Sequence, residues 1–466
     1  MELERQLHTA QTRLMHDPRD LVTIREICET LIALKREDEL LVWADRALAL
    51  SPHDPNFVTM RATALDLLGQ HAEAAVTWQR ESSLPYAPGF YPLQLGYSLM
   101  MAGDFAQAIP LLENARRTAL AAHAPWAARA AHLYGEALLK AGDGQGFAHW
   151  LMRNEDAAST GTYCPSDVPL WTGQTDLRGQ RVLVTHQLGL GDQFMLNACL
   201  ADWLAAGAKV MLTCDLQIQA LMQASLPDCE VVAAPRPLHL RVAPVDDMRL
   251  RVEAFAPHLY ATLLHLPLLK AVEPGYRFRP YQRAPRVKER AAAAWARRLR
   301  AQYPGKKLVG LFWDCNQRHT PDLGSAMRCW ATRRSVPLAM VNGLVTDPTL
   351  TEQVHFVNLH HPLVEAEAGT PAGNISRYQP EIWSFDDTAA CIGQLDAVVS
   401  VDSAVANLSA MMGRPTCVLV STSGDWRWSG QGTTARWIEG VTVLRQVQEG
   451  NWDAVMRDAA VWLASH

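Results

Sequence analysis

Over the first 157 residues, apolar positions recur at the spacing of a helix and Ala and Leu are frequent, so this part is expected to be all helix. The pattern also repeats. Leu68-Gly69-Gln70-His71-Ala72-Glu73-Ala74-Ala75 aligns with Ala102-Gly103-Asp104-Phe105-Ala106-Gln107-Ala108-Ile109, 34 residues further on. The same offset backwards reaches Lys35 to Leu40, followed by Ala44, Ala47 and Ser51-Pro52, and a looser copy stands at Ala141-Gly142-Asp143. A period of this length, with Gly in the turn and small residues where helices cross, predicts stacked helix pairs. One pair cannot bury its apolar face alone, so the pairs form an array. Such an array either binds peptides and proteins or serves as structural support.

Past a Pro-, Gly- and Thr-rich linker at 163–179, the pattern shifts to short apolar, β-branched runs. Those at 181–186, 209–213, 230–233, 307–313, 397–401 and 416–420 alternate with helical stretches, which predicts doubly wound parallel sheets. After the first run comes Gln187-Leu188-Gly189-Leu190-Gly191-Asp192-Gln193, expected to be a tight glycine loop opening a helix over about 192–206. It leaves the Asp192 carboxylate at a helix start, where it is either a helix cap or a chemical group on the rim of a crevice.

The region around 397–420 is the centre of the second half. Asp402 and Ser403 are both good N-caps for the helix that follows, Gly413 closes it and Pro415 blocks its continuation. A helix opening at the carboxyl end of a parallel strand aims free N–H groups into a crevice, where anions and above all diphosphates bind. Ser384 to Asp387 forms a Ser-x-x-Asp box before another helix. Asp425-Trp426-Arg427-Trp428 is either a base-stacking and phosphate-binding group or a domain-closing aromatic cluster.

The 466 residues suffice for two or three domains. The net charge of −5 excludes a basic footprint for nucleic acid. Nine scattered cysteines without a CxxC pair argue for a reducing compartment and against a zinc site or disulfide frame. The charged, amphipathic first residues do not read as a signal peptide, and no apolar run reaches transmembrane length. A cytoplasmic protein with no membrane span is the expectation. Asp246-Asp247 reads as a solvated turn and His360-His361 lacks a third ligand at sensible spacing, so no metal and no cofactor is expected.

The helix pairs resemble tetratricopeptide repeats. SVDSAVANLSAMMGRP with the following DWRW, the Pro169-Leu170-Trp171-Thr172-Gly173 entry segment and Arg333-Arg334-Ser335-Val336-Pro337-Leu338 resemble bacterial tetratricopeptide-repeat proteins that carry a C-terminal glycosyltransferase domain. That domain is similar to the heptosyltransferase group (glycosyltransferase family nine) and, more distantly, to O-GlcNAc transferases. The resemblance implies an α plus α/β chain: a repeat domain at 1–157, then a GT-B-like pair of Rossmann-type domains, acceptor-side at 158–285 and donor-side at 286–466. It implies metal-independent, inverting transfer of a hexosyl or heptosyl group from a nucleotide-diphosphate sugar to an acceptor, with a protein acceptor or partner held by the repeats.

By the same resemblance Asp192 is the base, in the loop with Gly189, Gly191 and Gln193. The donor is bound by Asn316, Arg318, Arg334, Asp402, Ser403, Ala404, Val405, Asn407, Trp426 and Arg427. Asn407 stands where the family has His, and 320–332 is an extra stretch. Those departures leave a second reading open, an interaction scaffold with a degenerate, non-catalytic transferase domain. A nucleotide-sugar epimerase is a third.

Overall fold

The computed structural model describes residues 1–80, 82–154, 165, 167–173, 175–234, 246–282, 285–315, 325–379, 381–422 and 424–465. Two compact bodies emerge: residues 1–137 together with 316–333, and 138–315 together with 334–466. The boundary falls inside one helix, Ala127–Lys140.

In the first body, helices pair as Leu21–Leu34 with Glu37–Leu50, Pro55–Leu67 with His71–Arg80, and Phe90–Met101 with Phe105–Ala121. The turns within the last two pairs carry Gly69 at φ +79° and Gly103 at φ +89°, the left-handed conformation that glycine adopts without a Cβ penalty. In the first pair Lys35 takes that role at φ +59°. Asp20, Asp54 and Asp104 cap helix starts by accepting the N–H groups of Val22, Asn56 and Gln107 at 3.0, 2.9 and 3.1 Å. Ala44, Ala47, Ala74, Ala108 and Ala115 are fully buried, so their small side chains let neighbouring helices approach closely. The 34-residue period is thus a tetratricopeptide-type array.

In the second body, described strands β1 (Arg181–Thr185), β2 (Lys209–Asp215), β3 (Glu230–Ala234) and β4 (Leu259–Thr262) form a parallel sheet in the order β3-β2-β1-β4. Strands β5 (Lys307–Phe312), β6 (Val354–Asn358), β7 (Ile375–Arg377), β8 (Ala397–Val401), β9 (Thr416–Val420) and β10 (Val441–Arg445) form a second, in the order β10-β9-β8-β5-β6-β7. All the pairings between these strands are parallel, so this is a pair of Rossmann-type domains of the GT-B-like kind. Strands β6, β8 and β9 are buried along their whole length, which explains the near-continuous apolar sequences of β8 and β9.

Two expectations shift. The helix expected over 192–206 is two helices, Leu190–Asn197 and Leu200–Ala205. Asp246, expected in a turn, opens the helix Asp246–Phe255. Trp171 is fully buried, its ring tilted at 58° to that of Trp203 with centroids 4.5 Å apart and its Nε1 donating to the Thr175 carbonyl, as expected of a packing anchor of the entry segment. Among the described residues, no helix is long and apolar enough to cross a membrane.

Candidate functional site

Strand β8 delivers Asp402 and Ser403 at its carboxyl end. Two residues offered themselves as cap, and the structure takes Ser403: its Oγ accepts the Ala406 N–H at 3.2 Å and opens the helix Ala404–Met411. Asp402 is only 4% exposed and its carboxylate is used otherwise. Oδ1 accepts the Trp428 indole N–H at 2.6 Å, and Oδ2 lies 3.4 Å from the Arg334 guanidinium. Arg334, itself buried, also donates to the Asp402 carbonyl at 3.1 Å and to Cys315 Sγ at 3.0 Å. Arg334 therefore binds the first residue past β8 from the loop that follows β5, where Ser335 Oγ donates to Asp314 at 2.8 Å.

The first sheet meets this end of the second through β1. The turn after β1 is made by Leu188 at φ +66°, while Gly189 is extended at φ −74°, ψ 168°. The glycines therefore do not make the turn that their sequence suggested. Gly191 has another reason to lack a side chain: a Cβ there would stand 2.9 Å from Asn407 Nδ2 and 3.3 Å from Ala404 Cα. The start of the Leu190–Asn197 helix lies directly on the start of the Ala404–Met411 helix, with glycine as the contact.

Asp192 occupies the third position of its helix. Its Oδ2 accepts the Gly189 N–H at 3.0 Å, so it does cap the helix. Its Oδ1 is ion-paired with Arg427 from the second sheet's side, and Arg427 also pairs with Asp425. The Asp192 side chain is 16% exposed and Arg427 is 8% exposed. An ion pair so screened from water is strong locally, but each partner left alone would be costly. One carboxylate thus holds both helix geometry and the inter-sheet contact.

Gln193 points inward, fully buried, with Nε2 on Asp215 at 2.7 Å, and is part of the first sheet's core. His186, the other titratable group at this strand end, is 1% exposed with its Nδ1 at 2.8 Å from Thr213 Oγ1.

Trp426 corrects the sequence expectation. It is 1% exposed and packed among Phe147, Trp150, Phe278 and Trp437 at 5.3, 5.3, 6.3 and 6.1 Å, so it offers no face to a base. Trp428 is fully buried and spent on Asp402. The DWRW segment is an aromatic closure with Arg427 held over the Trp426 ring. Asn407 is 4% exposed; Nδ2 donates to the Ser403 carbonyl at 3.0 Å, and its Oδ1 has no hydrogen-bond partner among the described residues. Val405 is buried and Ala404 half-buried at the helix start. Asn316 and Arg318 lie outside the described residues.

The structure thus gathers Asp192, Arg334, Asp402, Ser403, Asn407 and Arg427 around the carboxyl ends of both sheets. Two participants were given no role of their own from the sequence, Asp425, named only within its motif, and Cys315. An Asp two residues before Arg was a visible signal for the first, whereas nothing near Cys315 announced its contact with Arg334. Among the described residues no group of three His, Cys, Asp or Glu is placed to hold a metal ion.

No protein-family model matches the chain. It is similar to protein FlbA of Caulobacter vibrioides, 25% identical over 468 residues that span 96% of this chain and 73% of that protein. Among solved structures it is similar to a glycosyl transferase of family 9 from Veillonella parvula, with 11% identity, a TM-score of 0.43, and coverage of 63% of this chain and 100% of that one. It is also similar to an O-GlcNAc transferase mutant of Thermobaculum terrenum, with 14% identity, a TM-score of 0.30, and coverage of 100% of this chain and 91% of that one.

Proposed function

We propose that the second body is a glycosyltransferase that moves a sugar from a nucleotide-diphosphate donor to an acceptor hydroxyl. The observation that carries this reading is the Asp192–Arg427 ion pair, a carboxylate from the first sheet meeting a cation from the second at the carboxyl ends of both. A transfer with inversion needs a carboxylate on the acceptor side to take the hydroxyl proton, and positive charge on the donor side to stabilise the leaving diphosphate. Asp192 suits the first role, and its Gly189 bond fixes its orientation. Arg427 suits the second, together with the amide end of the Ala404–Met411 helix. Its exchange from Asp192 to the diphosphate would release the carboxylate for the acceptor. The buried Oδ1 of Asn407 is positioned to accept from a hydroxyl of the donor. No metal is invoked, and the repeat array is assigned to a protein acceptor or partner.

The test is Asp192→Asn. Loss of a general base typically lowers the rate roughly a hundred- to ten-thousand-fold. The variant is expected to fold, to bind nucleoside diphosphate in calorimetry, and to lose turnover on that scale. Near-normal turnover would remove Asp192 from the chemistry and direct attention to His186.

A second reading is favoured by the same pairing. Asp192, Asp402, Arg334 and Arg427 all have partners within the protein, and Gly191 and Ala404 are in contact. If no common nucleoside diphosphate or its sugar binds, the domain is an interaction scaffold and the ion pair is structural.

A further inference from the structure

Of the chain's 15 tryptophans, all among the described residues, Trp383 alone is exposed, with 57% of its surface open. It is also held in place. Its Nε1 donates to the Glu381 carboxylate at 3.1 Å, and its backbone N–H donates to Asp387 Oδ2 at 3.2 Å. His361 meets the ring edge-on, with centroids 4.9 Å apart and planes at 86°. His361 is fixed in turn, because its Nδ1 accepts the Leu363 N–H at 3.2 Å and caps the Pro362–Ala368 helix. Leu363 itself is 67% exposed. A single exposed apolar side chain is ordinary, but an indole tied at its polar edge and cornered by an imidazole presents a prepared apolar face.

That face lies where a ligand would meet it. His361 follows the last residue of β6 by three positions. Trp383 stands just before Ser384, the cap of the Phe385–Ile392 helix that leads to β8. Both are therefore at the carboxyl ends of the second sheet, the side on which open α/β sheets bind ligands. Phe385 packs on Phe194 of the Leu190–Asn197 helix, with centroids 5.3 Å apart, so this helix start borders the same crevice as Asp192. Strands β8, β5 and β6 are neighbours in that order, which puts the ends of β8 and β6 about 10 Å apart. A nucleotide with its diphosphate at the start of the Ala404–Met411 helix bridges such a gap with its ribose. We infer, on the transferase reading above, that Trp383 with His361 at its corner is the platform on which the donor's nucleobase stacks. Trp383 thereby takes the stacking role that the sequence suggested for Trp426, whose ring is buried. Stacking tolerates every base but follows stacking strength, and a purine covers more of the bicyclic indole than a pyrimidine does. The platform favours a purine donor.

ADP, UDP and inorganic pyrophosphate, which carries the diphosphate without a base, are each titrated by calorimetry into the full chain. The parent is expected to bind ADP most tightly, UDP less tightly and pyrophosphate most weakly. Trp383→Ala, at an exposed position, is expected to lower ADP affinity about tenfold, the scale of one lost base–aromatic contact, and to leave pyrophosphate unchanged. Trp383→Phe keeps an aromatic face and should retain most of the ADP affinity. Undiminished ADP binding by Trp383→Ala, or an equal loss of pyrophosphate, would overturn the platform. A parent that binds pyrophosphate as tightly as ADP would also overturn it and would leave the diphosphate site standing. A parent that binds none of the three would overturn the transferase reading and the platform with it.

Discussion

At the residue scale, a side chain's role follows from which of its atoms remain exposed. Asp402 looked like a cap and phosphate-site residue, but the indole N–H of Trp428 and the Arg334 guanidinium claim its carboxylate first. His265 shows the same logic with a measurable consequence. It is buried, its Nδ1 accepts the Thr262 N–H at 3.2 Å, and burial pushes its pKa down from 6.5 to about 4. Between those values the unfolded chain binds a proton that the folded chain refuses. Stability therefore rises with pH across this window and is lost as pH falls through it. The full loss is roughly 3 kcal/mol, since each pH unit between the two values is worth about 1.4 kcal/mol. Urea unfolding of the parent and His265→Gln between pH 7 and 4.5 should show the parent's stability falling more steeply by most of that amount. Parallel curves would mean that the folded protein protonates His265 without cost.

At the element scale, glycines separate two kinds of close approach. In Gly191 the contact is between helix starts. An Ala there would ordinarily gain about 1 kcal/mol of helix propensity. Here the new Cβ meets Asn407 Nδ2 at 2.9 Å and Ala404 Cα at 3.3 Å. Overpacking of this kind costs about 1–3 kcal/mol, so Gly191→Ala should destabilise in chemical denaturation. In an Asn407→Ala background the penalty should shrink by about 1 kcal/mol, the coupling expected of residues in contact. A stabilising Gly191→Ala would show that the helices are not packed on this glycine.

Gly69 and Gly103 share a left-handed backbone, but among the described residues a Cβ on Gly69 would meet Arg333, whereas nothing lies within 4 Å of a Cβ on Gly103. Both Ala variants should cost about 1–2 kcal/mol of backbone strain. Only Gly69→Ala should also loosen the Ser325–Arg333 helix, seen as faster amide hydrogen exchange in residues 329–333.

At the scale of the whole molecule, the two bodies differ in how they are held together. The array has two separate clusters of core residues, one around Ile27 and Phe57 and one around Trp78 and Leu112, and repeats contact chiefly their neighbours. Among the described residues the α/β body has one large core running through both sheets, which includes Trp171 and Trp462, and a small cluster on the first sheet around Leu183, Met211 and Val252. Urea unfolding is therefore expected to depart from two-state behaviour. Near-UV circular dichroism, dominated by the buried tryptophans of the α/β body, should change at a different midpoint from far-UV ellipticity. Coincident curves would mean that the bodies unfold as one.

The sequence alone determined the local architecture: the helix pairs and their left-handed turns, the Ser384 to Asp387 capping box, and β8 with the helix after it. These follow from periodicity and capping, which act within a few residues and are written in the chain. It also brought Asp192 and Arg427 into view as chemical groups. Only the tertiary structure decided that they face each other, that Trp426 and Trp428 are buried, that Leu188 rather than a glycine makes the turn, and that the stretch after β5 docks on the repeats. Each of these depends on which residues far apart in sequence share a surface, because burial and pairing are set by neighbours that local pattern does not encode.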